Sequence, residues 1–401
     1  MNELSSIGLI LLFALFAGHL VQFLRIPEVT GYIAAGLLVG PHVFGWITEE
    51  NLQSLEILSQ VALGLILFSI GGIFEASRMR AIGRKLAVVT VVESSCAAVL
   101  VTGGMLLAGQ PLPVALLLGA ISIETAAAST LMVMRECNSS GPLTDSLTGV
   151  IGMNNILCLL AFSSVATGLD LVAGGADREG WYAVYSSVYP LVWQVFGSIA
   201  LGFLVGVLLS LWSSRVIEKG ETLILLCGCV LLCVGVSEIL QLSPLISSLS
   251  VGATLVNLSD ESRRLFSALA QTDPPLYAIF FVIAGADLNV GLVATVGLLG
   301  VIYLGGRVAG KLGGAWFASS AVGLPEQVQK SLGLALLSQA GLAIGLTLTI
   351  GQRFPSLAPV VNTVVLASVV VLEIVGPLSA KFVLSRSGET HRQPPIVEPM
   401  F

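Results

Sequence analysis

The chain has 401 residues, of which 55% are hydrophobic and only 10% charged, with a mean hydropathy of +0.95. Soluble globular chains carry about 25% charged residues, so this composition excludes that class and predicts an all-α polytopic membrane protein. The formal net charge of -6 identifies no partner, and no basic run marks a nucleic-acid surface.

Thirteen apolar segments, each near the ~20 residues that cross a bilayer, follow one another at roughly 4–24, 28–47, 53–76, 85–108, 112–135, 143–168, 183–213, 221–240, 243–258, 263–285, 290–319, 327–351 and 356–384. Proline and glycine punctuate them at Pro27, Pro41, Pro111, Pro113, Gly141-Pro142, Gly174-Gly175, Pro244, Pro274-Pro275, Pro325 and Pro355. No cleavable-signal pattern is visible, so the first segment is expected to stay as a helix. With the N-terminus outside, the loops after odd segments hold Arg25, Arg78, Arg80, Arg84, Lys85, Arg135, Arg215, Lys219, Arg263, Arg264, Lys330, Arg386 and Arg392. Loops after even segments are acidic (Glu49, Glu50, Asp170, Asp177, Glu179, Asp287), with Arg178 and Arg353 as exceptions. The positive-inside rule then predicts thirteen crossings, N-terminus outside and C-terminus inside. The polar tail 385–401 is expected to be a short, disordered cytoplasmic extension.

Segments five and twelve read as broken helices. Segment five carries Ser122-Ile-Glu-Thr125, and segment twelve carries Leu336-Leu-Ser-Gln-Ala-Gly-Leu-Ala-Ile-Gly345. Paired interrupted helices in corresponding positions of two halves point to a transporter's binding site. Glu124 stands in the middle of Gly119-Ala-Ile-Ser-Ile-Glu-Thr-Ala-Ala-Ala-Ser-Thr130, where an ionised carboxylate costs roughly 2.5–3.5 kcal/mol on insertion scales. Its neighbours are small or hydroxylated, suited to close helix approach and to oxygen coordination. About one segment later the adjacent amides Asn154 and Asn155 interrupt another apolar run. Glu124, Asn154, Asn155, Ser122 and Thr125 are therefore the candidate ion- and proton-binding residues. Interhelical hydrogen bonding remains open for the two amides.

Arg307 and Lys311 stand four apart, on one helix face, and are the candidate charge-compensating residues. Lys311 could equally snorkel to the surface, whereas Arg307 needs an anion or a set of carbonyls, with Glu124 the obvious carboxylate to offer. Ser338 and Gln339 belong to the second break. Glu93, Glu238 and Glu373 lie toward segment ends or in mixed surroundings, where a structural role is as open as a transport role. Enzyme motifs are absent: there is no His-Glu-x-x-His, no Gly-x-Ser-x-Gly and no phosphate-cradling glycine loop, so no catalytic residue and no cofactor is expected. The six cysteines fall in or beside apolar segments without histidine at metal-site spacing and read as inert thiols; no metal is expected beyond a transported Na+ or K+.

Six stretches, in order, carry a family resemblance: Pro27-Glu-Val-Thr-Gly-Tyr-Ile-Ala-Ala-Gly-Leu-Leu-Val-Gly-Pro41, Leu63-Gly-Leu-Ile-Leu-Phe-Ser-Ile-Gly71, Gly141-Pro-Leu-Thr-Asp-Ser-Leu-Thr-Gly149, Ser243-Pro-Leu-Ile-Ser-Ser-Leu-Ser-Val-Gly252, Phe280-Phe-Val-Ile-Ala-Gly-Ala-Asp-Leu288 and Gln339-Ala-Gly-Leu-Ala-Ile-Gly-Leu346. With them the chain resembles the monovalent cation:proton antiporter-2 family, the sodium/proton antiporters and Kef-type potassium efflux proteins. The resemblance implies one transmembrane transporter domain, 1–384, with a dimerisation part mainly at 1–76 and 183–285 and a core mainly at 85–168 and 290–384. It also implies crossing broken helices, a homodimer, elevator-like movement, and residence in the inner membrane of a prokaryote.

Three departures qualify that resemblance. Where the family usually carries Asp-Asp or Asn-Asp on segment six, this chain has Asn154-Asn155, and Glu124 stands where a small or hydroxylated residue is usual. Ser338 replaces a common proline. A carboxylate has thus moved from segment six to segment five. Desolvation and a nearby cation pull a carboxyl group's proton affinity in opposite senses, so Glu124 near Arg307 could still exchange a proton for Na+ or K+. One exchangeable carboxylate predicts electroneutral exchange. The alternatives are transport of an anion or organic solute on the same fold, or a non-transporting homologue.

Overall fold

The computed structural model describes residues 3–24, 26–72, 74–173, 189, 192–213, 215, 218–270 and 273–390. Among them the only regular structure is helical; one isolated bridge, Ser139 to Thr390, is the sole β-type pairing. Seventeen α-helices can be numbered in order. They are α1 (Glu3–Phe23), α2 (Glu28–Val39), α3 (Glu49–Gly71), α4 (Ala76–Leu107), α5 (Leu112–Ile121), α6 (Ala127–Glu136) and α7 (Pro142–Ala173). After a π-helical turn at Trp193–Gly197 come α8 (Ser198–Ser213), α9 (Lys219–Ile239), α10 (Pro244–Leu258), α11 (Ser262–Ala270) and α12 (Asp273–Ala286). The remainder are α13 (Gly291–Thr295), α14 (Gly297–Ala321), α15 (Glu326–Ala335), α16 (Gly341–Arg353) and α17 (Ala358–Ser387).

Among the described residues, seven helices are long and apolar enough to cross a membrane, and an eighth span arises if the bent pair α11–α12 counts as one. Helices α2, α5, α10 and α16 are apolar but shorter, so helix length and composition do not by themselves fix thirteen crossings. Both expected breaks are present: α5 stops at Ile121 and α6 starts at Ala127, while α15 stops at Ala335 and α16 starts at Gly341. Two expected continuous segments are also broken. The tenth bends by 57° between α11 and α12, where Pro274 and Pro275 begin the second helix and cannot donate backbone hydrogen bonds. The eleventh is divided at Gly297, whose φ of +53° suits glycine alone without strain. The expected loop charges Arg25, Asp177, Arg178, Glu179 and Arg392, and the tail residues 391–401, lie outside the described residues.

The helices pack in two groups. α1 to α3 associate with α8 to α12, and α4 to α7 associate with α14 to α17. Within the second group α14 lies along α4 because Gly306, Gly310 and Gly314 repeat every fourth residue. A Cβ on Gly314 would sit 2.7 Å from the Glu93 Cα, so only a bare backbone lets the helices meet this closely. That approach carries Arg307 and Lys311 into the interior. A polar link also joins the groups: Lys381 on α17 donates to the Ile26 carbonyl (3.0 Å) and to Glu136 (2.6 Å), which accepts from the Glu28 backbone amide (2.8 Å).

The start of the tail is ordered, contrary to expectation. α17 runs through Ser387, and Glu389 turns back onto α7. Its carboxylate accepts from the Leu143 and Thr144 amides at 2.7 and 2.8 Å and from the Thr144 hydroxyl at 2.7 Å. Those amides have no intrahelical partner at a helix start, so an anion there is favoured.

Candidate ion-binding site

Breaking a helix frees carbonyl and amide groups that water cannot reach inside a membrane, so the protein must satisfy them. The two breaks do this partly for each other. The Ala126 amide donates to the Ser338 carbonyl (3.0 Å), the Thr125 hydroxyl to the Leu336 carbonyl (3.3 Å), and the Gln339 amide nitrogen to the Ile121 carbonyl (3.1 Å). Gln339 also donates to the Tyr303 hydroxyl at 2.9 Å. Ser122 closes its own turn by donating to the Gly119 carbonyl (2.7 Å).

The two cations of α14 complete the task. Arg307, fully buried, donates to the carbonyls of Leu337 (2.7 Å), Ser338 (3.1 Å) and Glu124. It thus holds the backbone of Glu124 and forms no ion pair with its carboxylate among the described residues. Lys311 does not snorkel; it is fully buried and donates to the Ile123 carbonyl (2.9 Å), the Thr125 hydroxyl (2.9 Å) and Glu93 (3.1 Å). The same Glu93 oxygen accepts from Asn154 at 2.9 Å, and Asn154 also donates to the Ser94 hydroxyl at 3.0 Å. The expected pairing of Arg307 with the Glu124 carboxylate is replaced by a Lys311–Glu93 pair and a set of carbonyls.

On the other side of the breaks lies a cavity of about 480 Å³ between the two helix groups. Glu124, Ser129, Asn155 and Glu373 reach its wall from the second group, facing Leu63 of α3, Leu245 of α10 and Phe280 of α12. No lysine, arginine or histidine lines it among the described residues. Glu124 is 1% exposed, and among the described residues its carboxylate accepts only from the Ala340 amide, at 3.3 and 3.5 Å. Glu373, 4% exposed, accepts from the Ser129 hydroxyl at 3.4 Å. The Asn155 Oδ1 is buried without a hydrogen-bond partner, as are Asn154 Oδ1, Glu93 Oε2 and Ser338 Oγ away from the cavity wall.

Of the five residues expected to bind an ion, the structure brings Glu124 and Asn155 to the cavity and directs Asn154, Ser122 and Thr125 to other partners. Glu373 and Glu93 were open candidates, and neither was singled out. The available signal for each was an acid within an apolar segment, Glu93 in 85–108 and Glu373 in 356–384, whose mixed surroundings left its role open. Glu238, by contrast, is exposed at the end of α9. No group of three histidine, cysteine or acidic side chains has metal-site geometry among the described residues, and all six cysteines are free thiols.

Two interrupted helices meeting around a buried carboxylate, beside a cavity between two helix groups, define a secondary membrane transporter. The chain belongs to the sodium/hydrogen exchanger family, whose transmembrane model matches residues 8–386. It is 22% identical over 348 residues, 85% of each protein, to the ammonium/H+ antiporter subunit AmhT of Alkalihalophilus pseudofirmus. Its fold matches the sodium/proton antiporter MjNhaP1 of Methanocaldococcus jannaschii at pH 8 with a TM-score of 0.69, at 16% identity and 96% coverage of both chains. An electron-microscopy structure of that antiporter gives a TM-score of 0.75, at 16% identity and 97% coverage of both.

Proposed function

We propose that the protein is a proton-coupled antiporter of monovalent cations in which Glu124 alternately holds a proton and the cation. The observation that carries this is the state of the Glu124 carboxylate: buried, at the cavity wall, and without an ion-pair contact to a protein cation among the described residues, since Nη1 and Nη2 of Arg307 go to carbonyls. A carboxylate in such surroundings needs a neutralising partner, and a proton or a cation arriving through the cavity supplies it. Asn155 contributes a neutral oxygen. The cargo is Na+ or K+, with ammonium added by the name of the A. pseudofirmus relative. Absence of any basic side chain on the cavity wall, among the described residues, argues against an anion or an anionic organic solute.

The thirteen segments form thirteen crossings, α5–α6 and α15–α16 each counting as one broken span, with the N-terminus outside and the C-terminus inside the inner membrane of a prokaryote. A cavity between two helix groups suits an elevator movement of α4–α7 and α13–α17 against α1–α3 and α8–α12, the latter group dimerising. The test is a pH-gradient dequenching assay in proteoliposomes with Na+, K+ or Li+. Cation-induced dequenching is expected in the wild type and absent in Glu124→Gln. Full exchange by Glu124→Gln would remove Glu124 from the mechanism, and a wild type silent to every cation would overturn antiport itself.

A further inference from the structure

Resting on the antiport reading, we propose that Glu373 is a second carboxylate ligand of the transported cation, so that the ion sits between Glu124 on the first break and Glu373 on α17. Both side chains reach the same cavity, both are at least nine-tenths buried, and no basic side chain lines that cavity among the described residues. Two carboxylates on one low-dielectric cavity cannot both stay ionised without a shared positive charge.

Two further features mark the space between them as an ion site. Asn155 places on the cavity wall a buried Oδ1 that no donor meets among the described residues. Such an orphaned acceptor is costly unless a ligand fills the role. Ser129 donates to Glu373 at a long 3.4 Å, a contact that orients the carboxylate and leaves its other oxygen for a ligand. Glu124 is likewise held loosely, by the Ala340 amide at 3.3 Å or more. The bound cation would have two carboxylates and the neutral Asn155 oxygen, from three separate elements: the first break, α7 and α17.

The charges fit one cation. Around the two breaks, among the described residues, three buried acids, Glu93, Glu124 and Glu373, face two buried bases, Arg307 and Lys311. Lys311 is matched by Glu93, and Arg307 offsets one of the two cavity acids across the break. One negative charge remains, to be filled by one proton or one monovalent cation. Glu373 thus shares the exchange without changing its one-for-one count.

The experiment measures cation-induced thermal stabilisation of the detergent-solubilised protein in Na+, K+, Li+ or ammonium chloride, with N-methylglucamine chloride at matched ionic strength as the blank. A ligand that binds only the folded state raises the unfolding temperature by an amount that grows with the logarithm of its concentration over its Kd. Glu373→Gln is expected to weaken the apparent affinity of the stabilising cation by about tenfold or more, the loss of one charged contact, and Glu373→Asp to recover part of it. In proteoliposomes Glu373→Gln should raise the KM for the cation and lower the exchange rate, with Glu373→Asp recovering part of both. A structural role would instead lower the unfolding temperature in the blank and leave the affinity unchanged. That result, or wild-type affinity in Glu373→Gln beside lost affinity in Glu124→Gln, overturns the role of Glu373 and leaves antiport standing. A wild type that neither binds nor exchanges any of the cations overturns both.

Discussion

Asn154 and Asn155 are neighbours in sequence and point about 100° apart on α7, and they enter two different chemical regions. Asn154 donates to Glu93, which is already paired with Lys311, so that region carries its own counter-charge, although Glu93 Oε2 and Asn154 Oδ1 meet no donor among the described residues. Asn155 faces a cavity with Glu124 and Glu373 on its wall and no base among the described residues. The two regions hold the same kinds of side chain at similar burial. They differ in where the opposite charge comes from, the protein in one case and the cargo in the other. A buried acid therefore marks function only once its counter-charge is located, and the substitutions below test that division.

The largest effect is expected from Glu93→Ala. It would strand the Lys311 ammonium in a site with no exposure, and removing one member of a buried pair costs about 3–5 kcal/mol. Thermal unfolding in detergent without transported cations should show this loss. The double change Glu93→Gln with Lys311→Met should restore most of it, because a pair removed together leaves no lone charge. Glu124→Gln should stay near wild-type stability in the same assay. Wild-type stability in Glu93→Ala would abolish the distinction between the two regions.

Asn154→Ala comes next. It takes one donor from a Glu93 oxygen that also serves Lys311, and one from Ser94, with an expected cost of about 1–3 kcal/mol in the same unfolding assay. Smaller again is Glu389→Ala, which uncaps the start of α7 at an expected cost of about 1 kcal/mol. Hydrogen exchange should rise at Leu143 and Thr144 and leave the cavity wall unaffected.

Much of the fold was legible because a bilayer imposes length and polarity on each segment. The breaks at Ser122–Thr125 and after Leu336 could be placed since a charged or amide residue among small ones marks where a helix gives way. The divisions at Gly297 and before Pro274 carried ordinary turn residues that read equally well as segment ends. In the site, the depth of Glu124, Arg307 and Lys311 could be read, but not their pairing. Arg307 turned to carbonyls because the breaks expose carbonyls, which a residue sequence does not display. Lys311 found Glu93 through the glycine face of α14, a contact more than two hundred residues long in sequence. Glu389 was read as tail because nothing local announces a cap delivered from the far end of the chain.

Asn155→Ala should have the smallest effect on stability and so tests the division most finely. Its Oδ1 meets no donor, and removing a buried acceptor without a partner strands nothing; the unfolding temperature in N-methylglucamine chloride should stay within the equivalent of about 0.5 kcal/mol of wild type. The change should instead appear when cation is added, as weaker stabilisation and a higher KM for exchange. Neighbouring asparagines would then separate cleanly, Asn154→Ala losing stability in the blank and Asn155→Ala losing affinity for the ion. A stability loss in Asn155→Ala equal to that of Asn154→Ala would mean that the cavity wall is held together by its amide as the Glu93 region is, and that the cation is bound elsewhere.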